Sequence, residues 1–305
     1  MAKQGEKKTK IFIRDATNID CALLMPEQAP VGKSWSVDIV WTGYTNNEGI
    51  IFDFSLARKA AKKTIDTFFD HKLYVRQKVI SRMPGKRSLI CEQCRDLNGR
   101  YFILDTCNEA IALFEEEVFR EIQLSDSPTL LEAIIADAVL KESPENVTEV
   151  AVELREHTHK FRGNYFSYTH SLNRHYGNCQ RFHGHSNIIE VFSGNQLDYG
   201  ESEKAAQLLN NKYIINRGHL REIQKSKRLS AISERYPFIR DGTYYTVEYD
   251  GSHGAVALAV PRELGLVINS DSTIENLALY IKDALKLGTE KRIYAYEGLK
   301  KGAVV

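Results

Sequence analysis

Between His170 and His185 the chain reads His-Ser-Leu-Asn-Arg-His-Tyr-Gly-Asn-Cys-Gln-Arg-Phe-His-Gly-His, gathering four of its nine histidines and one of its five cysteines into sixteen residues. The β-prone run Ser186–Phe192 follows directly. On a strand, side chains two apart share a face, so His183 and His185 present two imidazoles to one side, with Gly184 adding no bulk between them. A third imidazole from a neighbouring strand would complete a catalytic zinc site, which takes three protein ligands and leaves one place for water or substrate. His170 ends the β-prone run Tyr165–Thr169 and is the expected third ligand. Cys179, four residues before His183, is open to two readings: a fourth ligand of a closed structural zinc, or a thiolate base standing off the metal. His175, in a turn with Tyr176-Gly177-Asn178, is expected to be exposed. A metal holding substrate oxygens acidifies the neighbouring C–H. With a thiolate base and an imidazole acid, that suits proton abstraction beside a carbonyl or carbinol, followed by elimination or retro-aldol cleavage.

The elements that must position these residues recur. The first half reads as strand Ile11–Arg14, strand Ser34–Trp41, turn Asn46–Gly49, a helix from about Ser55 to Phe69 capped by Ser55, and Asp70-His71-Lys72-Leu73. Leu56, Ala60, Ile65 and Phe68 give that helix its apolar face. Strands over Lys86–Cys94 and Arg100–Asp105 meet at Asn98-Gly99, a helix covers Thr129–Lys141, and a strand from Val147 ends at Glu156. The second half runs in the same order: strands Phe166–His170 and His183–Phe192, a helix from Asp198-Tyr199 to Leu209, a hairpin of Thr243–Tyr249 and Ala255–Val260 through Asp250-Gly251, a helix Ser272–Lys286 capped by Asp271 or Ser272, and a strand Arg292–Tyr296 ending at Glu297. Val31-Gly32-Lys33-Ser34 falls where His183-Gly184-His185-Ser186 falls, Asp53-Phe54 where Asp198-Tyr199 falls, and Glu156 where Glu297 falls. A period of roughly 150 residues marks duplication of a whole domain, since solenoid repeats are ~20–50 residues. The expected boundary lies at Lys160–Gly163, giving domains 1–160 and 161–305.

The two halves have lost opposite things. The first has Val31 and Lys33 in place of imidazoles but keeps Asp70-His71. The second keeps the histidines and Cys179, with Arg217-Gly218-His219-Leu220 where Asp70–Leu73 stood. A complete set therefore requires both. Asp70-His71 reads either as an acid–imidazole couple or as a helix C-cap. Glu156 and Glu297, at strand ends, suit two parallel N–H bonds from a guanidine-like ring edge.

Composition excludes little and fits a globular chain. Hydrophobic residues make up 43%, charged residues 27%, and the net charge of +1 gives no global field for nucleic acid or membrane. No apolar run reaches membrane-spanning length. The polar, basic stretch Met1–Lys10 lacks a signal-peptide core, and five cysteines without a framework spacing fit a reducing cytoplasm. Cys91-Glu-Gln-Cys94, with Cys107, has the residue types of a second metal site or a redox pair, but it lies in a predicted hairpin with no second Cys-x2-Cys and is given no functional role.

The chain resembles the 6-pyruvoyl-tetrahydropterin synthase and 6-carboxy-tetrahydropterin synthase family, in a form with two tunnelling-fold (T-fold) domains in tandem. The resemblance rests on Phe166–His170, Cys179-x3-His183-Gly-His185, Asp53-Phe54, Asp70-His71-Lys-Leu73, Ser272-Thr-Ile-Glu275-Asn276 and Tyr296-Glu297-Gly298. It implies an α+β fold with antiparallel sheets, helices on one face, and assembly into a β-barrel oligomer, here a homodimer or homotetramer. It implies Zn2+ on His170, His183 and His185, Cys179 as proton acceptor, and Asp70 and His71 as a relay. Either Glu297 or Glu156 anchors the pterin ring. The implied substrate is 7,8-dihydroneopterin triphosphate and the implied product a 6-carboxy- or 6-pyruvoyl-tetrahydropterin, feeding queuosine or tetrahydrobiopterin synthesis. Family members carry one T-fold per chain, so one site per two domains departs from the pattern, as do the long hairpins. Arg174 and Arg181 are candidates for the triphosphate. The alternatives are a non-catalytic pterin- or purine-binding protein with a retained zinc site, and a cyclohydrolase-like reaction on GTP.

Overall fold

The structure, a computed structural model, describes residues 7–25, 30–77, 80–82, 88–95, 101–156, 164–173, 175–240, 242–298 and 301–305. The Asn98-Gly99 turn, Arg174 and the boundary Lys160–Gly163 lie outside the described residues, as do the side chains of Cys91 and Cys94.

Three open sheets carry the chain, and among the described residues none closes into a barrel. In the C-terminal half, β9 (Tyr165–His170) and β10 (His183–Ser193) form an antiparallel pair, and β16 (Lys291–Gly298) and β17 (Lys301–Val304) extend the sheet beyond β10. On the other side β12 (Lys212–Asn216) and β15 (Gly265–Ile268) add in parallel. α4 (Tyr199–Leu209) carries the chain from β10 past β9 to β12, which lies parallel to β9. This sheet is thus antiparallel through β9, β10, β16 and β17, as expected, with β12 and β15 added in parallel at its edge. Apolar residues of α4 and α6 (Ile274–Ala284), among them Leu209, Leu277 and Ile281, bury against Phe166, Ile189, Val191 and Ile293 of this sheet.

A second sheet has the same strand order. It runs β7 (Ile111–Phe114), β3 (Lys72–Arg76), β1 (Lys8–Leu23), β2 (Val31–Tyr44), β8 (Val147–Glu156), against β15, β12, β9, β10, β16 in the first. The registers agree residue by residue. Cys21 pairs with Lys72 as Tyr168 pairs with Lys212, and Val37 pairs with Leu154 as Ile189 pairs with Ala295. Counting along these strands puts Leu23, Val31 and Lys33 at the positions of His170, His183 and His185, and Glu156 at that of Glu297. It also corrects one sequence correspondence. Asn210-Asn211, not Arg217–Leu220, sits where Asp70-His71 sits, and both His71 (φ 52°) and Asn211 (φ 57°) take the left-handed backbone before their strand. Arg217–His219 instead forms a short 3₁₀ turn after β12.

The third sheet is built from the inserted hairpins of both halves, β4 (Ile80–Arg82), β5 (Ser88–Arg95) and β6 (Tyr101–Cys107) with β13 (Tyr244–Gly251) and β14 (Gly254–Pro261). Val256 to Ala259 pair with Thr106 to Ile103. The β13–β14 turn falls at Ser252-His253, two residues beyond the expected Asp250-Gly251, because Gly251 and Gly254 still pair.

Helix boundaries shift for local reasons. α1 (Phe54–Phe68) is capped by Asp53, whose carboxylate accepts from Ser55 and Leu56 N–H, so Ser55 lies inside the helix. Its buried face is Ala57, Ala61, Thr64 and Ile65; Leu56 and Phe68, expected inside, are 59% and 58% exposed. α6 is capped by Thr273 instead of Asp271 or Ser272. α2 (Glu116–Leu124) and α3 (Thr129–Lys141) complete the helices of the N-terminal half.

Close packing divides the chain into two compact units. One contains the chain up to Ile19, Trp35–Asp70 and Glu115–Glu156; the other contains Asp20–Ser34, His71–Phe114 and the C-terminal half. In the first, Asp38 accepts from Arg14, Arg155 and the backbone N–H of Asp15. Burial pushes the Asp38 carboxyl up, but the hydrogen bonds from Arg155, Asp15 and Arg14 outweigh it and hold the group below the usual carboxylate range. In the second, Phe182, Tyr213, Tyr249 and Leu258 belong to a continuous apolar core. No described helix is long and apolar enough to cross a membrane.

Candidate metal and acid–base site

The antiparallel register of β9 and β10 sets His183 directly opposite His170, and His185 two residues on faces the same side. The three imidazoles are buried and their nitrogens converge. His170 Nε2 lies 3.0 Å from His183 Nε2 and 3.1 Å from His185 Nε2. Each ring has an oxygen at its other nitrogen. His170 Nδ1 is 2.8 Å from Ser272 Oγ and 3.1 Å from the Ser272 carbonyl, His183 Nδ1 is 2.8 Å from the Arg181 carbonyl, and His185 Nδ1 is 3.2 Å from Asp20 Oδ1. Acceptors there hold the proton on Nδ1 and leave the Nε2 lone pairs facing one another, which suits a cation between them. Burial first, then the neighbouring imidazoles, pushes His170 and His183 well below the ordinary histidine value, so both rings are neutral. Three convergent, carbonyl- and carboxylate-backed imidazoles fit a divalent ion such as zinc.

Asp20, on β1, was not singled out in the sequence. Burial raises its carboxyl, but the charge and hydrogen bond of His185, the charge of His71 and the hydroxyl of Ser34 outweigh burial and hold it ionised. Nothing in the local sequence of β1 distinguishes Asp20 from a solvated strand residue; only its place beside His185 does. Ser272, expected as a helix cap, is instead the oxygen partner of His170.

Beside the imidazoles, Cys179 Sγ lies 3.3 Å from His71 Nε2. Cys179 stands in a short 3₁₀ turn (Gly177–Gln180) tied down by the Leu172 N–H to Cys179 carbonyl bond, 2.9 Å, and by Tyr249 Oη donating to the Gln180 carbonyl, 2.6 Å. The thiol is not among the three ligand atoms that converge, which go to His170, His183 and His185. The His71 ring centroid is 4.4 Å from that of His183. His71 is aimed there by its left-handed backbone and by its N–H bonding the Asp20 carbonyl, 2.7 Å. Asp70 is buried at the end of α1, its N–H bonding the Ile65 carbonyl.

Glu297 ends β16, 3.3 Å from Lys301 Nζ. Its charge acts on the buried Tyr168, whose hydroxyl is raised well above the usual range by burial first, then by Glu297 and Asp20. Tyr168 in turn lies 5.0 Å and 5.4 Å, ring to ring, from His170 and His185. Glu156, half-buried, ends β8. Arg181 Nε donates to the His253 carbonyl at 3.0 Å, and His175 is exposed as expected.

The 6-pyruvoyl tetrahydropterin synthase family model matches residues 159–300, the stretch that carries all three imidazoles, Cys179 and Glu297. Over residues 159–300 the chain is similar to the 6-pyruvoyl tetrahydropterin synthase family. Among solved structures it is similar to the 6-pyruvoyl tetrahydropterin synthase of Plasmodium falciparum, at 12% identity and a TM-score of 0.36, over 48% of this chain and 90% of that one. A catalytic-residue variant of the Plasmodium vivax enzyme matches at 11% identity and a TM-score of 0.36, over 49% and 92%. No curated protein matches.

Proposed function

We propose that the chain is a zinc-dependent lyase that converts 7,8-dihydroneopterin triphosphate to a 6-carboxy- or 6-pyruvoyl-tetrahydropterin, with two T-fold repeats, 1–160 and 161–305, sharing one site. The observation that carries this reading is the thiol–imidazole pair of Cys179 and His71, 3.3 Å apart beside three convergent imidazoles. His170, His183 and His185 would hold the ion, which when bound would polarise the substrate's side-chain oxygens. Cys179, as thiolate, takes the proton from the carbon next to the substrate hydroxyl, and His71 Nε2 shares that proton with the sulfur. Asp70, covalently next to His71, completes the relay. Glu297 accepts the pterin ring N–H groups as a bidentate carboxylate, with Glu156 the counterpart in the other repeat.

The test is to load the chain with zinc, add 7,8-dihydroneopterin triphosphate and follow acetaldehyde and triphosphate release. Turnover that vanishes in Cys179→Ala with zinc retained supports the assignment. No turnover with zinc and substrate both bound would sink it in favour of a binding protein. A homodimer or homotetramer is the proposed assembly, checked by light scattering.

A further inference from the structure

A cleft lies in the C-terminal half, and none of the residues lining it belongs to the imidazole cluster. It has a volume of about 860 Å³ and is walled by the loop after β12, by β13, and by the turn after β14. Arg217, Arg221, Lys225 and Arg262 line it, with Glu222 as the one carboxylate. The whole chain carries a net charge of only +1, so this concentration of positive charge is local.

The cations are only partly compensated. Lys225 pairs with Glu222 at 2.8 Å. Arg217 bonds the Asn269 side-chain oxygen at 2.7 Å, and Arg221 bonds the carbonyls of Gly218 and Leu220 at 2.7 and 2.8 Å, all neutral acceptors. The Arg262 guanidinium lies 4.7 Å from the centroid of the Tyr245 ring, a contact that orients it without neutralising it. The loop bearing Arg217 and Arg221 is fixed in place. Leu220 bridges to Val247, the Arg221 N–H bonds the Thr246 carbonyl at 2.9 Å, and Thr246 Oγ1 donates to the Arg221 carbonyl at 2.5 Å. Like charges held together on a fixed frame repel, and an anion placed among them relieves that repulsion. Guanidinium forks match phosphate oxygens two at a time. A concave site of this size suits a small molecule, for which ~300–1,000 Å³ is usual.

We propose that this cleft binds a small molecule bearing several phosphates, held by Arg217, Arg221 and Arg262, and that it does so independently of the imidazole site. The probe is sodium tripolyphosphate, titrated calorimetrically into the full chain at fixed ionic strength, with orthophosphate as the comparison. The expected result is one saturable site per chain, at least tenfold tighter for tripolyphosphate than for orthophosphate. The double substitution Arg221→Ala/Arg262→Ala weakens it at least tenfold. These arginines are exposed, so melting temperature and metal content should stay unchanged. Lys225→Ala, a second variant, weakens it a few-fold. Unchanged binding in the double variant overturns the proposal. So does binding lost in His183→Ala with the arginines intact, which would put the anion at the imidazole site. A twenty-residue RNA binding a hundredfold tighter than tripolyphosphate would also overturn it, in favour of a nucleic-acid surface.

Discussion

The sheets of the N-terminal and C-terminal halves share strand order and register, yet equivalent positions have opposite chemistry. Where β9 and β10 bear His170, His183 and His185, β1 and β2 bear Leu23, Val31 and Lys33; where β3 is preceded by Asp70-His71, β12 is preceded by Asn210-Asn211. Features that hold the backbone persist in both. Lys72 Nζ bonds the Glu109 carbonyl as Lys212 Nζ bonds that of Glu263, and Asp53 and Asp198 both cap the helix that follows. Asp38 bonds Arg155 as Glu190 bonds Tyr296, whose hydroxyl is pushed up to about 12 by burial and then by Glu190. Framework contacts are needed wherever the fold is kept, whereas site residues are needed once per site. The start of β2 also touches β9 and the start of β10. Gly32 N–H bonds Ser167 Oγ, and Ser34 and Ser186 exchange backbone-to-hydroxyl bonds at 3.0 and 3.2 Å.

The largest effects test the division of chemistry. Cys179→Ala should lower turnover by ~10²–10⁴, the usual contribution of a proton-transfer group, with metal content unchanged. Metal lost along with the thiol would make Cys179 a ligand and break the division. Asp20→Asn tests whether the N-terminal half tunes the C-terminal ion. Zinc affinity should fall ~10–100-fold, as for other carboxylates behind a ligand imidazole, measured by competition with a chromogenic chelator. An unchanged affinity would confine the ion's support to the C-terminal half.

Smaller effects test the shared framework. A Cβ on Gly184 would stand 2.6 Å from Gly32 Cα, and one on Gly32 would stand 2.3 Å from the Tyr168 carbonyl oxygen. Gly184→Ala should cost ~1–3 kcal/mol in denaturant unfolding, the range for overpacking. Wild-type stability would show that β2 and β10 part easily. The smallest effect concerns acid. Because the Asp38 value is lowered on folding, its contribution is present above the ordinary carboxylate range and is lost as pH falls through the folded value. The unfolding free energy of Asp38→Asn, measured by circular dichroism below pH ~4, the region of an ordinary carboxylate, should fall less steeply with pH than that of wild type. An equally steep limb would assign the acid response elsewhere.

The sequence by itself determined the local elements and the repeated order of strands and helices, because period-two and helical patterning and cap residues act over a few neighbours. It also determined that His183 and His185 share a face, since strand geometry alone requires it, and it pointed to His170 by composition. Only the tertiary structure decided that Asp20 backs His185, that Ser272 holds His170, that His71 reaches Cys179 across 108 positions of chain, and that Asn210-Asn211 replaces Asp70-His71. It alone also joined hairpins of both halves into one sheet and gathered four cations around a cleft. Those relations depend on register and crossover between distant strands, which no local pattern encodes.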